Sequence, residues 1–161
     1  MLAAQSANDS VRVGFIGVGN RGSLLLRNML KVPGVKVVAI CDIDPATLKA
    51  AIDAATAAGH SPDAYAEYRK LFDRKDIDAI VIATPADFHK EMAIASLEVG
   101  KHVYCEKPMA VTPEDCRQVT NAAGAAGAPT PNLALCEIGG WDALNAIQEE
   151  LKQRRESGLR A

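Results

Sequence analysis

The feature that most constrains the fold is a cluster of glycines inside the stretch VRVGFIGVGNRGSLLLRNML, residues 11–30. Gly17, Gly19 and Gly22 fall within six positions, after an apolar run and before a helical pattern. Glycine loses more conformational entropy on folding than any other residue. Such a cluster therefore marks a place where the backbone must turn tightly or approach something closely. We predict a strand that ends at Ile16, a tight turn, and a helix that begins near Gly22.

The turn matches the pattern G-x-G-x-x-G of dinucleotide-binding proteins. In that pattern the first glycine makes the turn, the second lets the backbone approach a pyrophosphate, and the third lets the helix pack against the strand. The anion rests on free N–H groups at the helix N-terminus. Asp42 ends the next apolar run, 20 residues after the last glycine, where a carboxylate accepts hydrogen bonds from the adenosine ribose. The residues predicted to surround the pyrophosphate are Gly17, Val18, Gly19, Asn20, Arg21 and Gly22.

Three other interpretations of this turn account for fewer of its residues. A Walker A loop needs a lysine before its Ser or Thr, but here Ser23 follows Gly22 directly. A methyltransferase also carries an acid after its second strand, although the spacing of the third glycine fits a dinucleotide better. A glycine-rich turn without a ligand is the remaining alternative.

Strand and helix patterns alternate through the first 127 residues. β-branched runs typical of buried parallel strands occupy residues 11–16, 35–41, 77–83 and 101–105. Helical patterns occupy residues 22–31, 45–58, about 65–72, 86–99 and 113–126. This alternation predicts a single α/β domain over residues 11–127, a doubly wound parallel sheet of the Rossmann type in three layers.

Helix ends are marked by capping residues. An oxygen-bearing side chain precedes a proline at Asp44, Thr84 and Thr112, which predicts three helix N-caps. The glycines expected where helices stop are Gly59, Gly100 and Gly127. Residues 1–10 are predicted to be disordered, and residues 128–161 to form a linker, a further strand at 133–138 and a C-terminal amphipathic helix.

Charge and cysteine spacing exclude several classes of function. The net charge is −2 and no dense run of Lys or Arg offers a surface for nucleic acid. The four cysteines lie far apart without a C-x-x-C pair, so buried free thiols are predicted rather than a metal site or a redox dithiol. No apolar run reaches the roughly 20 residues of a membrane span, and the first ten residues lack the features of a signal peptide. The sequence therefore predicts a cytoplasmic protein without a membrane or nucleic-acid partner.

Four ordered motifs carry a resemblance to a known family. GFIGVGNRG, CDIDP, IDAIVIATPADFH and GKHVYCEKPMA follow one another as in the N-terminal domain of the Gfo/Idh/MocA family of NAD(P)-dependent oxidoreductases, which the chain resembles over residues 11–127. The resemblance implies NAD as cofactor, NADP less so because of Asp42, and substrates that are sugars, polyols or their derivatives. It further implies that the turn Ala83-Thr84-Pro85 contacts the cofactor. His89 either takes part in that contact or satisfies a backbone group.

The motif Glu106-Lys107-Pro108 is the most diagnostic part of the resemblance. In the family the glutamate neighbours the nicotinamide and the lysine orients the substrate hydroxyl or relays its proton, which makes Lys107 the candidate catalytic residue. An amine in a partly desolvated cleft suits that task, because desolvation lets it take up and release protons near working pH. The alternative is that Lys107 is an exposed surface lysine. The bond before this proline is commonly cis in the family, so Lys107-Pro108 is expected to be cis as well.

The end of the chain departs from the family pattern. The usual aspartate and histidine of a second, substrate-binding domain have no counterpart, and only 34 residues follow Gly127. The chain is therefore interpreted as the cofactor half of an oxidoreductase acting on a CH–OH group, incomplete as a catalyst by itself. The alternative is a non-catalytic nucleotide-binding module or partner subunit. A homo-oligomer fits either interpretation.

Overall fold

The computed structural model describes residues 10–125 and 133–135, which alternate between parallel strands and helices. The strands are β1 Val11–Ile16, β2 Val35–Cys41, β3 Asp63–Tyr65, β4 Ala79–Ile82, β5 His102–Cys105 and β6 Leu133–Leu135. The α-helices are α1 Asn20–Met29, α2 Pro45–Ala57, α3 Arg69–Phe72, α4 His89–Glu98 and α5 Pro113–Ala125, with a 3₁₀ turn at Ala86–Phe88 before α4.

The strands form one sheet in the order β3-β2-β1-β4-β5-β6, and every neighbouring pair is parallel. The chain moves outward from β1 to β3, crosses back to β4 beside β1, and then moves outward in the other direction. All carboxyl ends of the strands lie at one edge, and in open sheets of this kind ligands bind where the strand order changes direction, here between β1 and β4. This edge is the natural position for a ligand.

Each face of the sheet buries its own apolar core. Along β4, Val81 packs into one core and Ile80 into the other, because successive side chains of a strand point to opposite faces. The first core includes Leu26 and Met29 of α1 with residues of α2. The second core includes apolar residues of α3, α4 and α5. The three-layer, doubly wound fold expected from the sequence is therefore confirmed.

Three predicted helices differ from the structure, and the strand predicted at residues 77–83 is shorter, since β4 is Ala79–Ile82. Helix α1 begins at Asn20 rather than Gly22, because the carbonyl oxygen of Gly19 already accepts a helical hydrogen bond from the N–H of Ser23 at 2.6 Å. Residues 65–72 are not one helix, since Tyr65 ends the short strand β3 and only α3 is helical. The helix predicted over residues 86–99 is divided into the 3₁₀ turn and α4.

Two of the three predicted N-caps are confirmed. The Asp44 carboxylate accepts from the N–H of Thr47 at 2.9 Å, and the Thr112 hydroxyl accepts from the N–H of Asp115 at 3.1 Å. Thr84 is not an N-cap, because Pro85 stays extended (ψ 145°) and delays the helix. The Thr84 hydroxyl lies 3.6 Å from the sulfur of Met92 instead.

The predicted ends of two helices also agree with the structure, since Gly59 and Gly100 adopt positive φ of +86° and +75°. Gly127, residues 1–9, the predicted linker and the predicted C-terminal helix lie outside the described residues. Ser10, directly before β1, is buried. Strand β6 lies within the predicted strand at residues 133–138. Within the described ranges, no helix has the length and apolar character to cross a membrane.

Candidate nucleotide-binding site

The glycine turn joins β1 to α1 at the carboxyl edge of the sheet, and two of its glycines are required by the protein itself. Gly17 adopts φ of +84°, and a Cβ there would lie 2.9 Å from the backbone nitrogen of Thr84. A Cβ on Gly22 would lie 2.1 Å from the carbonyl oxygen of Gly17, closer than any side chain can come. The first glycine therefore makes the turn and the third lets α1 approach it.

Gly19 differs from both neighbours, because a Cβ added to it would meet no atom of the described residues within 4 Å. Gly19 is also the N-cap residue of α1, with φ of −67°, so positive φ does not require glycine there. A pocket of about 260 Å³ between α1 and α2 borders the turn at Val18, Gly19 and Asn20. The space in front of the helix N-terminus is thus open, and within the described part of the chain packing gives no reason for a glycine at position 19.

Asp42 follows β2 and holds the glycine turn from the other side. One carboxylate oxygen accepts a hydrogen bond from the N–H of Val18 at 2.8 Å, and the other accepts from the N–H of Asp44 at 3.0 Å. Each carboxylate oxygen has two acceptor positions, so these bonds leave acceptor capacity on Asp42. The residue predicted to bind the ribose therefore also fixes the turn predicted to bind the pyrophosphate.

His89 connects the turn after β4 to the turn after β5. Its ring is buried, with Nδ1 2.7 Å from the carbonyl oxygen of Pro108 and Nε2 2.8 Å from that of Thr84. Both partners are acceptors, so any N–H that the ring carries is donated to one of the two turns. The ring therefore lies against backbone groups, as one of the two alternatives for His89 predicted, and its contact with the cofactor stays a prediction. The Lys107-Pro108 bond is cis, as expected from the resemblance.

Glu106 follows β5 and is paired with the first turn of α1. The guanidinium Nε of Arg21 donates to one carboxylate oxygen at 2.5 Å, and the N–H of Lys107 donates to the other at 3.0 Å. The Glu106 side chain is 5% exposed and that of Arg21 51% exposed. Lys107 itself is exposed, so the described residues do not form the partly desolvated cleft that its predicted role needs.

Cys41 and Cys105, the last residues of β2 and β5, are buried free thiols as predicted. Cys116 on α5 is a free thiol but only partly buried, so its predicted burial was wrong, and Cys136 lies outside the described residues. Burial raises the pKa of the Cys41 thiol to about 12, and the charge of Asp42 adds to the shift. Burial likewise raises the pKa of the Cys105 thiol to about 12, with a further contribution from Glu106. Both thiols therefore stay protonated and inert at neutral pH.

Two features of this edge were missed by sequence reasoning. Ile43, directly after Asp42, is 89% exposed. Its exposure could have been predicted, because in CDIDP this apolar residue stands between two aspartates. The pairing of Arg21 with Glu106 joins residues 85 positions apart, and no local pattern in the sequence indicates it. Among the predicted residues, the structure gathers the glycine turn, Asp42, the turn at Ala83 and the Glu106 turn at one sheet edge.

The sheet order and the glycine turn define the class of protein, a nucleotide-binding domain of the Rossmann type. A family model described as "Oxidoreductase family, NAD-binding Rossmann fold" (GFO_IDH_MocA) matches residues 11–130. The chain belongs to the Gfo/Idh/MocA family of oxidoreductases, and residues 11–130 correspond to the NAD-binding domain of that family.

The chain is also similar to curated proteins and to solved structures. The chain is 42% identical over 120 residues to a protein named "Glycosyl hydrolase family 109 protein" from Shewanella pealeana. The match covers 71% of this chain and 26% of that relative, so the chain spans about a quarter of its length.

Solved structures share the fold, among them two dehydrogenases. Myo-inositol 2-dehydrogenase from Lactobacillus plantarum is 27% identical with a TM-score of 0.70, over 87% of this chain and 41% of the other. The WlbA dehydrogenase from Bordetella pertussis, solved with NADH and UDP-GlcNAcA, is 28% identical with a TM-score of 0.65. That match covers 73% of this chain and 34% of the dehydrogenase.

Proposed function

We propose that the chain binds NAD(H) across the carboxyl edge of its sheet and serves an oxidoreductase that acts on a CH–OH group of a sugar, polyol or related substrate. The observation that carries the proposal is Gly19. Gly17 and Gly22 are required by contacts within the protein, whereas a Cβ at position 19 would meet no atom of the described residues within 4 Å. A glycine at this point is explained by a ligand that must approach the backbone closely, as a pyrophosphate does.

The remaining residues suit the two halves of the cofactor. Asp42 would accept hydrogen bonds from the adenosine ribose, and the backbone from Val18 to Gly22 would hold the pyrophosphate. The turns at residues 83–85 and 106–108, joined through His89, would hold the nicotinamide half. The nicotinamide, when bound, accepts or supplies a hydride. Lys107 would orient the substrate hydroxyl and hold its proton at Nζ.

A second candidate is glycoside hydrolysis that depends on NAD. The observation in its favour is that identity to the Shewanella pealeana relative named as a glycosyl hydrolase is 42%, against 27% to the inositol dehydrogenase. Some glycosidases use NAD in place of a pair of carboxylates. In a protein that joins this domain to a substrate domain, the products separate the candidates. Oxidation accumulates NADH with a carbonyl product, whereas hydrolysis releases a free sugar and leaves the cofactor unchanged overall.

We predict that NADH binds more tightly than NADPH by roughly tenfold, because the Asp42 carboxylate accepts from the ribose diol and repels a 2′-phosphate. Arg21 pairs with Glu106 on the β5 side of the turn, opposite to Asp42, and so does not offset this repulsion. Fluorescence titrations with both cofactors measure the preference. Asp42→Ser should reduce it.

The matched control for this prediction is Asp53→Ser, which removes an exposed carboxylate paired with Lys49 on α2. That variant should keep the preference of the unmodified chain. Equal affinities for the two cofactors in the unmodified chain, or an unchanged preference in Asp42→Ser, would contradict the role of Asp42.

We further predict that the 161-residue chain binds NAD⁺ without turning over substrate. In the described part of the chain we assign proton transfer to Lys107, which is exposed, so water has access to the reacting position. The assay follows NADH absorbance with NAD⁺ and a panel of inositols, hexoses and amino sugars. Turnover that disappears in Lys107→Met would contradict the prediction, and would point to a site completed within a homo-oligomer. Binding without turnover alone would also fit a non-catalytic nucleotide-binding module.

A further inference from the structure

The ion pair between Arg21 and Glu106 links the two ends of the candidate site. Arg21 lies in the first turn of α1. It is close to the N-terminal end of that helix, where a Cβ on Gly19 would meet no described atom within 4 Å. Glu106 follows β5, with its side chain 5% exposed and its two oxygens held by Arg21 and by the N–H of Lys107. A carboxylate buried to this degree retains its charge when a cation and hydrogen-bond donors compensate for the lost water.

The sheet order places this pair on one half of a bound dinucleotide. If the pyrophosphate lies at the α1 N-terminus and the adenosine ribose near Asp42 after β2, the other nucleoside extends over β4 and β5, across the point where the strand order reverses. Glu106 is the residue that follows β5. Its carboxylate therefore lies on the side of the nicotinamide.

The charge of the protein near the nicotinamide affects the relative affinities for NAD⁺ and NADH, because the two forms of the cofactor differ in charge at this ring. The nicotinamide ring carries one positive charge in NAD⁺ and none in NADH, while the pyrophosphate is the same in both. Removing the guanidinium would leave more negative charge near the ring and favour NAD⁺, and removing the carboxylate would leave more positive charge and favour NADH. The paired side chains carry no net charge together.

We propose that the Arg21–Glu106 pair sets the preference of the site between NAD⁺ and NADH, with Arg21 as a positioning residue that neutralises Glu106 and fixes its orientation. The inference rests on the proposed function, since it requires a nicotinamide dinucleotide in the site. It assigns to Arg21 a task that differs from contact with the pyrophosphate. A pyrophosphate contact would affect both oxidation states equally, whereas charge control affects their ratio.

The test is calorimetric titration of the full 161-residue chain with NAD⁺ and with NADH at pH 8. In Arg21→Met the ratio of the two dissociation constants should shift toward NAD⁺ by roughly tenfold, because the positive ring of NAD⁺ then takes the place of the guanidinium as the cation beside the buried carboxylate. Glu106→Gln should shift the ratio in the opposite direction. The double variant should return to the ratio of the unmodified chain, because both charges are then absent.

The matched control is Arg117→Met, which removes an arginine paired with Glu114 on the exposed face of α5 and should leave both affinities unchanged. A ratio that stays constant in Arg21→Met and in Glu106→Gln, while the unmodified chain binds both cofactors, would overturn the inference and leave the proposed function intact. If the unmodified chain binds neither cofactor, both are overturned. Glu106→Gln alone still decides the inference if Arg21→Met fails to fold.

Discussion

Gly19→Val is expected to reduce NADH binding at least about a hundredfold without loss of the fold. The valine side chain would occupy the space in front of the α1 N-terminus, where the proposed pyrophosphate must approach the backbone. The protein itself has room for it, since a Cβ at position 19 meets no described atom within 4 Å. Fluorescence titration measures the affinity, and urea unfolding followed by circular dichroism measures the fold.

Two further variants make this result specific. Gly19→Ala should weaken binding less than the valine variant, because it adds one methyl group at the same point. Gly124→Ala is the matched control, since a Cβ added to Gly124 in α5 would also meet no described side chain or distant backbone atom within 4 Å. It should leave binding unchanged and stabilise the helix by up to about 1 kcal/mol. If Gly19→Val still binds NADH with unchanged affinity, the turn has a structural role only.

Much of the fold could be predicted from local patterns in the sequence. The strand-turn-helix unit at residues 11–29, the Asp44 and Thr112 caps and the positive φ of Gly59 each depend on residues that are close in the chain. Buried parallel strands such as β4 are continuous apolar runs, and such runs can be recognised in the sequence. Strand β3 was missed because its three residues are exposed or half-buried and show no apolar run.

The arrangement of the candidate site depended on contacts that no local pattern encodes. Thr84 has the residue type and the following proline of an N-cap, yet Pro85 is extended and delays the helix. The carbonyl oxygen of Thr84 lies 2.8 Å from Nε2 of the buried His89 ring instead. The pairing of Arg21 with Glu106 and the bond from Val18 to Asp42 both cross between strands. Sequence reasoning identified these residues from their motifs but could not identify their partners.

Asp42 illustrates how binding and structure share one side chain. The bond from the N–H of Val18 means that Asp42→Ser changes the glycine turn as well as the ribose site. A general loss of affinity for both cofactors in that variant would reflect the turn. A change in the ratio between NADH and NADPH reflects the charge at the ribose, which is why the prediction concerns the preference and not the affinity alone.

Gly22→Ala should have the opposite consequence to Gly19→Val, because it damages the fold itself. The new Cβ would lie 2.1 Å from the carbonyl oxygen of Gly17 and 3.3 Å from the Cβ of Ala83. Helix α1 cannot keep its position against the turn, and we expect a loss of about 3 kcal/mol or more in the free energy of unfolding. Urea unfolding of this variant beside Gly19→Val measures the difference. An unfolding midpoint for Gly22→Ala equal to that of the unmodified chain would show that α1 does not pack against the turn as described, and would remove the distinction on which the role of Gly19 depends.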